Sequence, residues 1–338
     1  MTGYYLNAKI PNHDSSLGPA IGGVRYWNYP SEDALIKDAI RSAESASLTA
    51  ALCGCDAGGG KAILWGDPSQ KNERMFRALG RYIQGLGGRF IAAIDLGTTV
   101  DDIAAIQKET EFVVCGSLIG ESECDYSSIT ARGVYLGIKA ACKTVFGSSS
   151  LAGKKISIQG IGKVGFSLLE LLHKEKAELY VSDVFFEKVK AAKDAYPDVI
   201  LVKPAELQAL EVDIFSPCAF GDVIGLETVK KLRCKMIAGS ANNQLVSEDI
   251  ADFLDDSGIL FLPDFLINSG ETITINDALY QIPKVRSQER VEQIYDLVEE
   301  LLLKAREEKR PPYHIAKDNA LKRMREIRSL KKIHLSNN

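Results

Sequence analysis

"ISIQGIGKVGFSLLELL", residues 156–172, passes from an apolar β-branched run, through three closely spaced glycines, into leucines at helical spacing. Gly160, Gly162 and Gly165 stand in the arrangement G-x-G-x-x-G. Between a strand and a helix, the first glycine permits a tight turn, the second lets backbone approach a pyrophosphate, and the third lets helix and strand pack closely. Lys163 and Val164 fall in the first turn of that helix, where free N–H groups stabilise phosphate charge. Asp183 ends the next strand pattern, "ELYVSD", placed to accept from both hydroxyls of a ribose, and its charge repels the additional phosphate of NADP. The stretch therefore predicts a Rossmann unit that binds NAD.

Strand and helix patterns alternate on both sides of it. Toward the C-terminus, strands are expected near residues 179–182, 213–215, 236–238 and 259–261, followed by amphipathic helices over 287–308 and 315–330. On the N-terminal side Ser31 caps a helix to near Ser47, and a strand follows at 62–65. Next come a helix with Met75, Phe76, Leu79, Tyr82 and Ile83 inward and a strand at 90–94. Thr98 or Thr99 opens another helix, and 112–115 reads as a short strand. A long helix over 129–145 leads to "FGSSSLAGKK", a small-residue stretch that suits a domain boundary. Such alternation predicts an α/β protein with mostly parallel sheets, and 338 residues suit about two domains.

The totals exclude several classes. A net charge of −4 gives no general attraction for nucleic acid, and the basic residues Lys322, Arg323, Arg325, Arg328, Lys331 and Lys332 recur at helical spacing, as on a solvated helix face. No apolar run approaches the roughly 18 residues of a membrane span, and the N-terminus lacks the pattern of a signal peptide, so a cytoplasmic protein is expected. Seven cysteines (53, 55, 115, 124, 142, 218 and 234) include no C-x-x-C, which predicts reduced thiols. Histidines 13, 173, 314 and 334 lie beside no cluster with ligand spacing, so no metal is expected.

A second stretch, "CDAGGGKAIL", places Lys61 after three glycines. It is not a phosphate-binding P-loop lysine: Cys55 stands where that loop needs glycine, and Ala62 where Ser or Thr would hold magnesium. Glycines before it strip side chains from one wall, so a substrate can lie against backbone, and a desolvated lysine there can polarise a carbonyl or share a proton. On these residues alone, a surface lysine after a turn is an equal reading.

The order of motifs goes further. "LGPAIGGVRYWNYPSEDALIKDA", "GGGKAILWGDP", "IAAIDLGTTVDD", "TARGVYLGIKAA", "QGIGKVG", "DIFSPCAFG", "AGSANNQL" and "PDFLINSG" resemble, in family order, the leucine, phenylalanine, valine and tryptophan dehydrogenases, the short branch of the glutamate dehydrogenase superfamily. The resemblance runs from Leu17 to near Arg328. It implies an N-terminal substrate and oligomerisation domain over 1–130, a Rossmann domain over 131–308, and helices over 309–338 packing back on the first. An active-site cleft between the domains is expected, as is a homo-oligomer. Lys61 and Asp95 match the family's catalytic pair: the lysine polarises the substrate oxygen and activates water, and the aspartate moves protons to and from nitrogen. The implied reaction is reversible oxidative deamination of an amino acid to a 2-oxo acid and ammonia. Gly22 and Gly23 resemble the backbone wall beside the substrate, Asn243 the contact to its carboxylate, and Thr130 a contact to the nicotinamide. Ala241 and Asn242 match the segment by the nicotinamide and its ribose, and Cys218 and Ala219 further cofactor positions.

Departures from the family pattern cluster near the substrate. Relatives carry a carboxylate-binding lysine twelve residues before the catalytic one, and Thr49 stands there. Glu44 occupies an often basic position, and Ile94 replaces an acidic neighbour of the catalytic aspartate. Glu271 and Thr272 replace a glycine and an apolar specificity residue, and the segment ahead of "LGPA" is shorter than in relatives, so oligomer contacts are expected to differ. Three readings follow: an amino acid dehydrogenase of atypical specificity whose missing cation is supplied by Arg132, an amine or imine oxidoreductase whose substrate has no carboxylate, and an NAD-binding homologue without turnover.

Overall fold

The computed structural model describes residues 8–114 and 126–330. Cys115, Cys124, Lys331, Lys332 and His334 lie outside the described residues. The chain divides into two compact units: residues 1–125, 274–284 and 320–338 form the first, and 126–273 with 285–319 the second.

The first unit is built on β1 (Ala8–Lys9), β2 (Asn12–Asp14), β3 (Ala20–Trp27), β4 (Gly58–Gly60), β5 (Ala62–Trp65) and β6 (Phe90–Ile94). The central strand β3 pairs in parallel with β6, and also with both β4 and β5: Ile21 lies opposite Gly59, and Val24 opposite Ala62. Strands β4 and β5 are thus two pieces of one line, interrupted at Lys61. The outer pairings, β1 with β5 and β2 with β4, are antiparallel, so the expectation of a mostly parallel sheet holds at its centre.

Helix α1 (Glu32–Leu52) begins where expected, with the Ser31 hydroxyl accepting from the Ala34 N–H, but runs a turn beyond Ser47. It lies so close to β4 that a Cβ on Gly59 would come within 2.2 Å of the Ser47 nitrogen and 2.3 Å of the Ala43 oxygen. One on Gly60 would meet the Phe90 ring at 2.9 Å. At these two glycines the cleared space is filled by the protein itself, which corrects the expectation of a substrate wall there. Helices α2 (Glu73–Gly85) and α3 (Val100–Gln107), the latter capped by Thr99, enclose a core that includes Val24, Tyr26, Leu64, Phe76, Leu79, Ile83, Phe90, Ile103 and Ile106. Residue Val113 contributes an isolated bridge to Ala92 in place of the expected strand.

The second unit carries β7 (Lys155–Gln159), β8 (Glu178–Ser182), β9 (Ile200–Leu201), β10 (Ile214–Pro217), β11 (Met236–Ile237) and β12 (Leu260–Phe261), all parallel, in the order β12-β11-β10-β7-β8-β9. That is the doubly wound dinucleotide-binding order. Helix α4 (Ser127–Phe146) packs on α5 (Lys163–Lys174) and on the helix Ile294–Glu308. The "FGSSSLAGKK" stretch connects α4 to β7 inside this unit and marks no boundary.

The basic residues of the last helix serve the fold. Arg323 donates to the carbonyls of Ala50, Ala51 and Cys55, at and just beyond the C-terminal end of α1, and Arg328 bonds Asp14 and Ser16. No helix among the described residues is long and apolar enough to cross a membrane. Among the described residues Cys53, Cys55, Cys142, Cys218 and Cys234 form no disulfide, and burial pushes the Cys142 and Cys234 thiols up to about 12 and about 11, so both stay protonated.

Candidate active site

Lys61 sits at the break between β4 and β5, and Asp95 follows the last residue of the neighbouring β6. Both therefore lie beside the middle of β3, on its two sides: Lys61 opposite Gly23, and Asp95 one residue beyond the Val24–Ile94 pair. The Lys61 ammonium donates to Asp95 Oδ2 at 2.6 Å, with the lysine only 6% exposed. Gly23 makes the approach possible, because a Cβ there would come within 2.5 Å of the Asp95 Cβ. The Asp95 backbone N–H donates to Thr98 Oγ1 at 3.0 Å, fixing the turn beyond the strand.

A third charged residue, absent from the sequence-based set, completes the cluster. Arg25 Nε donates to the same Asp95 oxygen at 2.9 Å, and its Nη1 to Asp38 Oδ2 at 2.7 Å. Tyr29 donates its hydroxyl to Asp38 as well. Strand periodicity was the available signal: Arg25 lies two residues beyond Gly23 and so shares its face. Asp38, 13 residues on and in the second turn of α1, left none.

Burial alone would push the Asp95 carboxyl up, but the charges of Lys61 and Arg25 and their hydrogen bonds hold it well below the usual carboxylate range. For Lys61, burial and then the Arg25 charge push the amine down, against the pull of Asp95 and Asp38. A buried lysine of this kind can release and retake a proton nearer neutrality than a surface one.

Thr49 is buried on α1, and its hydroxyl donates to the Ser45 carbonyl of its own helix at 2.9 Å. Arg132, the residue expected to supply the missing cation, forms a two-bond pair with Glu292, both at 2.7 Å, within the second unit. Ile94 packs against the first unit's apolar core.

In the second unit Gly160 has φ +98°, a conformation glycine supplies readily, and a Cβ on Gly165 would lie 2.0 Å from the Gly160 oxygen. A Cβ on Gly162 would meet nothing within 4 Å. Gly162 is also the N-cap of α5 and provides no side-chain cap, so the first-turn N–H groups of Lys163, Val164 and Gly165 face the room that the glycine leaves. These features fit a pyrophosphate. Cys218 and Ala219 pack directly on Gly160, each within 3.0 Å of where its Cβ would be. Asp183 accepts from the Ile161 N–H at 2.8 Å and from the Phe185 N–H at 2.9 Å, so its carboxylate is fixed against the glycine loop.

Asn243 adopts φ +55°, with its N–H on Asp264 Oδ2 at 2.7 Å and its carbonyl accepting from Asp222. Asn242 Oδ1 accepts from Asn268 at 2.7 Å, and Ala241 is buried. Thr130 is buried on α4, and Glu271 and Thr272 are half-buried on the helix Gly270–Leu279.

Family models described as "Glu/Leu/Phe/Val dehydrogenase, dimerisation domain" and "Glutamate/Leucine/Phenylalanine/Valine dehydrogenase" match residues 2–112 and 120–325. The leucine dehydrogenase of Bacillus cereus is 43% identical over 333 residues, covering 98% of this chain and 91% of the relative. The chain belongs to the glutamate, leucine, phenylalanine and valine dehydrogenases. As a member of that family it is an oxidoreductase of the class that acts on CH–NH2 donors with a nicotinamide cofactor. The L-tryptophan dehydrogenase of Nostoc punctiforme is another similar relative, 39% identical over 292 residues, 86% of this chain and 82% of that protein. The crystal structure of the L-tryptophan dehydrogenase from Nostoc punctiforme superposes with a TM-score of 0.78 at 36% identity, covering 96% of this chain and 94% of that one.

Proposed function

We propose that this dehydrogenase deaminates an L-amino acid reversibly to a 2-oxo acid and ammonia, using NAD, with Lys61 and Asp95 as the catalytic pair. The buried 2.6 Å contact between their side chains carries the reading. Lys61 donates to the substrate oxygen and takes a proton from the attacking water. Asp95, held ionised, accepts a proton from the substrate nitrogen and returns it to departing ammonia. Gly22 and Gly23 offer backbone beside the reacting carbon, and Asn243 offers its amide to a carboxylate.

Gly160, Gly162, Lys163, Val164, Gly165, Cys218 and Ala219 would hold the pyrophosphate end of the dinucleotide, with Thr130, Ala241 and Asn242 toward the nicotinamide. The nicotinamide supplies the hydride acceptor. The charge of Asp183, fixed by two backbone N–H groups, favours NAD over NADP. A homo-oligomer in the cytoplasm follows from the same reading, the first unit matching a domain described by its role in dimerisation.

Specificity is proposed to depart from that of the relatives. The Thr49 hydroxyl is turned to its own helix, and Lys61 and Arg25 are each already paired with a carboxylate. Replacing a charged contact by at most a neutral hydrogen bond weakens carboxylate binding by about 1–3 kcal/mol. This supports a second reading, a substrate without a carboxylate, such as an amine and its ketone or aldehyde. NADH oxidation with ammonium, across 2-oxo acids and matched ketones and aldehydes, separates the two. Turnover of oxo acids supports the first reading, turnover restricted to the neutral carbonyls supports the second, and no turnover of either class defeats both.

A further inference from the structure

We propose that Arg25, held by Asp38 and Tyr29, is a positioning residue that fixes the Asp95 carboxylate against Lys61, one edge of its guanidinium serving each aspartate. The inference rests on Lys61 and Asp95 being the reacting pair.

The geometry is specific. The Arg25 side chain is 16% exposed and lies between two carboxylates, Asp95 on Nε at 2.9 Å and Asp38 on Nη1 at 2.7 Å. The guanidinium is a rigid planar fork, so fixing it on Asp38 fixes the direction in which Nε points. Asp38 is itself constrained by the Tyr29 hydroxyl, from the segment before α1, and by the Ser42 hydroxyl at 3.4 Å, one turn further along the helix. Rotation of the Asp95 carboxylate away from Lys61 would break the Arg25 bond as well as its own.

Charge follows the same lines. Lys61 is faced by Arg25 from β3, Asp38 from α1 and Asp95 from the end of β6, with the Tyr29 phenol bonded to Asp38. Two cations and two carboxylates leave the cluster neutral. Arg25 opposes a second positive charge on Lys61, and Asp38 offsets that opposition. Removing either one therefore shifts the Lys61 proton equilibrium in opposite directions, whereas a residue that only supported the fold would shift it in neither or in both alike.

Competitive labelling of the full chain with acetic anhydride, read at Lys61 by mass spectrometry against pH, measures that equilibrium without a substrate. Arg25→Gln is expected to raise the Lys61 midpoint by about one pH unit or more, and Asp38→Asn to lower it. Arg25→Lys, which keeps the charge and loses the fork, is expected to lower the midpoint, because Asp95 is then free to turn away from Lys61, and a midpoint at the wild-type value would show that the fork positions nothing. Midpoints that stay put in both charge-removing variants, or move the same way, overturn the inference. Asp38→Asn carries the test alone if the Arg25 variants do not fold. Failure of the catalytic reading shows itself separately, as turnover that survives Lys61→Ala.

Discussion

Asp95→Asn removes one charge from the centre of the cluster and almost no volume. Lys61 at 2.6 Å and Arg25 at 2.9 Å, both on the same oxygen in the wild type, then point at a neutral amide, with their nitrogens no more than about 5.5 Å apart. At an effective dielectric constant of about 20, that repulsion is roughly 3 kcal/mol. Breaking a buried ion pair by removing one partner costs about 3–5 kcal/mol in all. Spread over 338 residues melting as one unit, this lowers Tm by about 5 °C at pH 7. The deficit also has a sign in pH. Lys61, already held down by burial and Arg25, is pushed further down in the variant, so the unfolded chain binds its proton more tightly than the folded one. Stability then rises with pH from the folded midpoint to the unfolded one at about 10.4, and the gap to wild type narrows. At the acid end the wild type has the same sign: the stabilisation from Asp95 is complete above about pH 3.9 and is lost as pH falls through its lowered folded value, so the gap narrows there as well. Calorimetric melts of both proteins at pH 7 and pH 9, with Lys61→Met/Asp95→Asn expected to recover part of the loss, test the account. A variant melting within about 1 °C of wild type at pH 7, or a deficit that grows toward pH 9, would refute it.

Lys61→Ala is expected to abolish turnover while NAD binding, followed by nucleotide fluorescence titration, stays close to wild type; unchanged rates would remove Lys61 from the mechanism. Thr49→Lys is expected to lower KM for simple 2-oxo acids by about tenfold or more through a restored charged contact, and no gain would show that the pocket has changed beyond this position. Gly59→Ala forces a methyl to within 2.2–2.5 Å of Ser47 and is expected to lower stability by at least about 1–3 kcal/mol in urea melts, with Gly85→Ala, where the Cβ meets nothing within 4 Å, as the neutral control.

The Rossmann unit was legible because its signals are local. Three glycines, the strand before them and the acidic strand end all lie within one stretch, and each reappears with its expected packing partner or open space. Lys61 and Asp95 were legible through the order of motifs, but their contact is made across β3, where Gly23 has no side chain to keep them apart. Arg25 was hidden because an arginine inside a strand pattern reads as an outward polar residue; its partner Asp38, in the second turn of α1, faces it only once that helix has folded back on the sheet. The glycines before Lys61 were read as room for a ligand, since no sequence pattern announces that Ser47, Ala43 and Phe90 will occupy the places beside Gly59 and Gly60. Arg132 could be placed on a helix from sequence, but its binding to Glu292, 160 residues away, could not.

At Gly59 the helix that carries position 49 and the strand that delivers Lys61 meet backbone to backbone, with no compressible layer of side chain between them. The two are held like parts in a jig, and the tolerance between them is set by main-chain atoms that substitution leaves untouched. A library of residues close to threonine in size at the buried position 49 would therefore vary functional groups on a fixed mount. Differences among its members could be credited to the chemistry of each group, a cleaner experiment than a scaffold with a yielding contact allows.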